Sequence, residues 1–167
     1  EPKGALESSS PIRLFAGSGM RIDLWKRLRE RVPRASVLEF YASTEGNAVL
    51  ANPSGKKVGS LGKPLPGSAD LALLAVDLGK GELRRDERGQ LAVAGMNEPG
   101  MLVARIEAGH AMASFDGYER DVLGAGRILR GVFESATDPS GPGGQTGGAA
   151  WFVTGDLMRR AEEGSYY

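Results

Sequence analysis

The chain has 167 residues, enough for one domain or two small subdomains, and 41% of them are apolar, so a core can be buried. Its 21 Lys and Arg balance 21 Asp and Glu, which removes the net field that would draw nucleic acid or an anionic membrane surface. Cysteine is absent, excluding disulfides, thiolate catalysis and cysteine metal sites and fitting a cytoplasmic setting; no apolar run approaches the roughly 18 residues of a membrane-spanning helix.

Residues 1–11 are polar, with Pro2 and Pro11, and read as a lead-in. Ile12 to Ala16 predicts a short strand, followed by a Gly17-Ser18-Gly19 turn. Ile22, Trp25, Leu28 and Val32 recur at helical spacing with Lys26, Arg27, Glu30 and Arg31 between them, which predicts an amphipathic helix. Asp23 in its first turn suits the positive end of the helix dipole, and Pro33 stops it. Ser36 to Tyr41 is the next strand. Such a strand–helix–strand unit forms the closing part of a parallel α/β sheet, in which ligand turns lie at the carboxyl ends of strands.

The pattern changes after Asn47. Val58 to Gly67 is rich in turn residues, and short strands are expected at Ala69–Val76, Gln90–Ala94 and Met101–Ile106, with Asp86-Glu87-Arg88-Gly89 as a hairpin connection. Strands of this length and spacing predict a small antiparallel barrel or sandwich. The expected division is an α/β subdomain over residues 1–52 and a β-barrel-like subdomain over 53–167. Tyr118 to Phe133 has mixed helical spacing interrupted by Gly124, Gly126 and Gly131. Thr137 to Ala150 is almost wholly Gly, Pro, Ser, Thr and Gln, as in a flexible surface loop. Gly143 to Gly147 within it lacks the following Lys and helix of a phosphate loop. His110, the sole histidine, lies among small residues and is given no catalytic role. Both ends read as cut, with Gly164-Ser165-Tyr166-Tyr167 beginning a strand whose open edge could pair with another chain.

Two strand ends carry the chemistry. Phe40-Tyr41-Ala42-Ser43-Thr44-Glu45-Gly46-Asn47 sets a flat ring, hydroxyls and a carboxylate at the end of an apolar strand. These are groups that a nucleotide site uses for the base, the phosphates and a magnesium ion. Trp151-Phe152-Val153-Thr154-Gly155-Asp156 repeats the design. Taken singly, each residue has a plainer reading: Tyr41 as a strand aromatic, Glu45 as a solvated carboxylate, Asp156 as a turn cap and Gly17 to Gly19 as an ordinary loop.

Phe40 to Asn47 resembles the Tyr-Gly-x-Thr-Glu signature of adenylate-forming enzymes, the superfamily of acyl-CoA synthetases, luciferases and peptide-synthetase adenylation domains. Thr154-Gly155-Asp156-Leu157 resembles their Thr-Gly-Asp signature. The wording of Glu39 to Asn47, Gly17-Ser18-Gly19-Met20-Arg21, Arg85 to Gly89, Phe115-Asp116-Gly117-Tyr118 and Ile128 to Phe133 is similar to the fatty acid transport protein and very-long-chain acyl-CoA synthetase branch. Ala42 stands where the signature usually has Gly, and 137–150 looks like an insertion.

The resemblance implies a nucleotide site built from Gly17, Ser18, Gly19, Glu39, Phe40, Tyr41, Ala42, Ser43, Thr44 and Asp156. In it, backbone at Gly17–Gly19 lines the adenylate pocket and Tyr41 stacks on adenine. Thr44 contacts the phosphates, Glu45 holds Mg²⁺, and Asp156 accepts the ribose hydroxyls. Thr44 and Glu45 are the catalytic assignments, and Val58 to Leu61 borders the acyl chain. The implied parent enzyme uses ATP, Mg²⁺ and CoA to activate a fatty acid and is cytoplasmic or membrane-associated. The implied phosphate loop would precede Glu1, and the implied ribose-binding Arg and catalytic Lys would follow Tyr167, so the piece alone is expected to be inactive. Other acids, an acyl-AMP ligase and a noncatalytic nucleotide-binding or interaction domain are the alternatives.

Overall fold

A computed structural model describes residues 4, 6–43, 47–107, 113, 126–133 and 149–167. The chain is mixed α/β. A four-stranded sheet, in the order β1-β2-β3-β4, accompanies a curled five-stranded antiparallel sheet whose order is β6-β5-β7-β9-β8.

Strand β1 (Leu14–Gly17) runs parallel to β2 (Ser36–Ala42), with Leu14 opposite Ser36 and Gly17 opposite Glu39. Two parallel neighbours need a crossover, and α1 (Ile22–Arg31) supplies it. Trp25 is its fully buried residue. Asp23 lies in the first turn and Arg29 and Arg31 in the last, each sign matched to the dipole. Arg31 also pairs with Glu7, its Nε 2.7 Å from Oε2, which ties the lead-in to the helix end. The helix stops at Val32, just ahead of Pro33, where the Val32 amide donates to the Leu28 carbonyl.

Beyond this unit the chain turns back on β2. Strand β3 (Val49–Asn52) pairs antiparallel with it, Ala42 facing Val49 and Glu39 facing Asn52, and β4 (Lys63–Pro64) pairs with β3. Neither strand was expected from the sequence, because four residues and two residues are too short to show a period. The close β3–β4 approach depends on Gly62, at φ +97°: a Cβ there would lie 1.8 Å from the Ala51 carbonyl oxygen.

In the second sheet, β5 (Leu71–Asp77) is flanked by β6 (Glu82–Leu83) and β7 (Gly100–Ile106); β9 (Ala150–Met158) joins β7 to β8 (Ile128–Arg130). Residues 90–94, expected as a strand, form no continuous ladder but run extended between β5 and residues 84–86, through the isolated bridges Arg85–Leu91 and Leu74–Val93 and backbone bonds such as Ala75 amide to Ala92 carbonyl and Ala94 amide to Leu73 carbonyl. Within the expected helical stretch 118–133, residues 126–133 form β8 and its turns, with Gly126 and Gly131 at positive φ. Gly126 and Gly131, two of the glycines that interrupt the helical spacing, are here turn residues flanking a strand, while 118–125 lie outside the described residues. The Asp86–Gly89 connection is as expected: the Asp86 amide donates to Gln90 and the Gly89 amide to Asp86.

Both faces of the second sheet are covered. Leu73, Leu102, Ala104 and Met158 pack with Ala48 and Leu50 around β3, so this cluster joins the two sheets. Their neighbours Leu74 and Val103 face the other way and pack with Val132 and Trp151, and Phe133 meets Trp151 edge-on with ring centroids 4.7 Å apart. Burial on both faces explains the near-continuous apolar runs at 71–76 and 101–106. The aromatic end is not an open edge. Tyr166 exchanges backbone bonds with Leu61 and Gly62, and Tyr167 exchanges them with Arg159. No helix among the described residues is long and apolar enough to cross a membrane.

Candidate functional site

Two strand ends meet at Tyr41 and Asp156. Tyr41 is the penultimate residue of β2, and its hydroxyl donates to Asp156 Oδ2 at 2.6 Å across 115 residues of sequence. Its ring packs against the core cluster that joins the sheets. Burial first, then the hydrogen bond to Asp156, hold the phenol well above the ordinary tyrosine range; a hydrogen bond with Thr154 opposes them, and the Asp156 charge adds a lesser upward push. The hydroxyl is therefore a donor at neutral pH.

Asp156 reaches this position because β9 is bulged. Along β7 the ladder steps by two, from Met101 to Val103, while along β9 it steps by four, from Leu157 to Val153. The two extra residues on β9 fall in Thr154-Gly155-Asp156. Gly155 takes φ +89°, a conformation suited to glycine in a bulge. The Thr154 hydroxyl replaces the lost ladder bonds: it donates to the Leu102 carbonyl at 3.0 Å and accepts the Asp156 amide at 3.1 Å. Thr154 is buried and Asp156 exposed. The bulge thus turns a carboxylate out of the sheet and fixes its backbone.

Next to β2, the loop after β1 supplies unobstructed backbone. A Cβ on Gly17 or Gly19 would meet nothing within 4 Å, and Gly19 has φ +77°. Ser18 is exposed. Glu39 ties this loop to β2. Its Oε1 accepts the amides of both Gly19 and Met20, the latter at 3.1 Å. Only 1% of Glu39 is exposed, and its Oε2 has no hydrogen-bond partner among the described residues. The Glu39 carboxylate thus lies under the loop as its anchor. Period-two alternation sets Val37, Glu39 and Tyr41 on one face of β2, while Phe40 and Ala42 lie exposed on the other and Ser43 donates its amide to Ala48.

Thr44 and Glu45 lie outside the described residues, as do Gly46, His110, Phe115 to Tyr118 and Gly143 to Gly147. Asn47, which follows them, is buried and donates from Nδ2 to the carbonyls of Arg105 and Ala113, the latter at 2.9 Å. This clamp pins Asn47 to the end of β7 and to Ala113. It was missed in the sequence, although Asn47 closes the same octapeptide. Among the described residues no group of three or more His, Asp or Glu is placed to hold a metal ion. Of Val58 to Leu61, Ser60 is fully buried with its hydroxyl on the Tyr166 carbonyl, and Leu61 packs on the core. A cleft of about 490 Å³ between residues 51–66 and the turn at 163–165 includes neither Tyr41 nor Asp156 in its lining.

A sequence family described as AMP-binding enzyme matches residues 2–100. Among curated proteins, the chain is 29% identical to the medium/long-chain-fatty-acid–CoA ligase FadD6 of Mycobacterium tuberculosis, over 95% of this chain and 23% of that protein. It is 31% identical to human long-chain fatty acid transport protein 1, over 100% of this chain and 24% of that one. The acyl-CoA synthetase of Brucella canis superposes with a TM-score of 0.54 at 24% identity, over 92% of this chain and 23% of its own, a likeness of fold. The chain thus spans about a quarter of the length of the curated relatives it matches.

Proposed function

This chain belongs to the AMP-binding enzyme family, and from that premise we propose that it forms part of the nucleotide site of an ATP-dependent fatty acid–CoA ligase. The observation that carries this reading is the meeting of Tyr41 and Asp156 from β2 and β9. A half-buried aromatic ring beside an exposed carboxylate suits a nucleoside, the ring facing the base and the carboxylate accepting from the ribose hydroxyls. The open backbone at Gly17 and Gly19 lets a flat ligand approach.

In this reading a fatty carboxylate attacks the ATP α-phosphate, giving acyl-adenylate and pyrophosphate. The thiol of CoA then attacks the acyl carbon and AMP leaves. Charge develops on oxygen in both steps, so catalysis rests on donors and cations rather than on a protein nucleophile. Thr44 would hydrogen-bond the phosphates, and Glu45 would hold a magnesium ion, which would supply neutralisation of phosphate charge. Tyr41, Asp156 and the 17–19 loop hold the nucleoside. Exposed Ile12 just ahead of β1, Leu14 at its start, and Ile22 and Leu24 of α1 support a longer protein in which this chain packs against further elements; with the phosphate loop and catalytic Lys of such an enzyme supplied by those elements, this chain alone would be inactive.

The test is acid-dependent ATP–pyrophosphate exchange by the full-length protein, with fatty, aryl and sterol-derived acids, and with CoA or a carrier protein as acceptor. Fatty acids with CoA are expected to be turned over, and Asp156→Ala is expected to lower exchange by about a hundredfold, the usual scale for a lost charge-positioning contact. Exchange with aryl or sterol-derived acids alone assigns another adenylate-forming ligase. Absence of exchange with any acid points to a noncatalytic nucleotide-binding domain, and near-normal activity of Asp156→Ala removes the site assignment.

A further inference from the structure

We propose that the Tyr41 hydroxyl is a positioning group for Asp156, so that one side chain joins base recognition to selection for an intact ribose diol. The inference rests on the nucleotide-site reading above and adds to it a role for the hydroxyl distinct from that of the ring.

Asp156 has little else to orient it. It sits exposed on a two-residue bulge next to a glycine at φ +89°. Thr154 holds its backbone amide, but among the described residues the only hydrogen bond to its carboxylate comes from Tyr41. An exposed Asp without such a partner samples several rotamers, and ordering it on binding costs affinity.

Tyr41 can supply the order because it is itself fixed. Its backbone is paired to Leu50 in the β2–β3 ladder, and its ring packs on the core that joins the sheets. A carboxylate has about four acceptor sites, so one bond from Tyr41 leaves Oδ1 and a lone pair of Oδ2 for two ribose hydroxyls. A competing arrangement would make the same bond a latch that nucleotide must break. The ladder and core contacts of Tyr41 favour the positioning role, since nothing in them lets the phenol swing away.

The experiment measures Kd for ATP and for 2′,3′-dideoxy-ATP in the full-length protein, using wild type, Tyr41→Phe, Asp156→Asn and the double variant. Tyr41→Phe keeps the ring and is expected to weaken ATP binding about tenfold, the scale of a hydrogen bond to a charged group. Binding of the dideoxy analogue should change less than about twofold, so the ATP-to-dideoxy ratio collapses. In the Asp156→Asn background, Tyr41→Phe should add less than about twofold. An unchanged ratio in Tyr41→Phe overturns the proposal, and tighter ATP binding overturns it in favour of the latch. A full tenfold effect in the Asp156→Asn background also overturns it. Asp156→Asn alone, an exposed substitution that leaves Tyr41 in place on the core, should likewise collapse the ATP-to-dideoxy ratio, and an unchanged ratio there overturns the proposal whatever the stability of Tyr41→Phe. Failure of wild type to bind either nucleotide overturns the underlying nucleotide-site reading.

Discussion

Glu39 shows how one buried side chain can hold a loop from beneath. A carboxylate in the apolar run Ser36–Ala42, on the face shared with Val37, conflicts with the strand pattern around it, and such conflicts mark functional positions. Here the carboxylate accepts two loop amides that no ladder reaches. Glu39→Ala should cost about 1–3 kcal/mol, the scale for donors left unsatisfied, while Glu39→Gln keeps an acceptor and should cost clearly less. Urea unfolding measures both; equal losses would show that the amide acceptor is not what stabilises the loop. Glu39, Tyr41 and Asp156 were all legible as candidates from residue type and motif. What Glu39 does was not, because its partners are backbone amides on another strand's loop.

Among the elements, β9 and the β3–β4 pair depend on glycine for different reasons. At Gly155 the requirement is backbone alone: the atom nearest a Cβ is Arg127 Nη1 at 3.7 Å, so Gly155→Ala should cost about 1–2 kcal/mol, the left-handed penalty. At Gly62 a Cβ would strike the backbone of Ala51, so Gly62→Ala must part β3 from β4 and should destabilise more. Thermal unfolding of the two variants gives the order, and Gly155→Ala proving the worse would contradict these strand positions. Strand β9 and the α1 crossover were visible in the sequence through apolar run and helical period. The bulge was not, since two extra residues appear only when β9 is laid against β7.

At the scale of the molecule, the two sheets share a core. Leu50 of β3 and Leu102 of β7 belong to one buried cluster, so neither sheet can lose its packing without exposing the other. The two tryptophans report separately, Trp25 on α1 beside the first sheet and Trp151 in the cluster on the far face of the second. Single-tryptophan variants Trp25→Phe and Trp151→Phe, unfolded in urea, should each give one transition, with the two reporters coinciding once each variant's stability is matched to a common probe such as far-UV circular dichroism. A tryptophan transition displaced from the circular dichroism transition of the same variant would mean that the shared cluster does not couple the sheets.

Local residue order by itself determined the β1–α1–β2 unit, the apolar strands of the second sheet and two motifs at strand ends, because period, propensity and turn chemistry act over a few residues. Tertiary structure alone decided that β3 and β4 complete the first sheet, that Glu39 lies beneath the 17–20 loop, and that Tyr41 donates to Asp156. These depend on ladder register, a bulge and a common core, which are set by pairings between residues far apart in the chain.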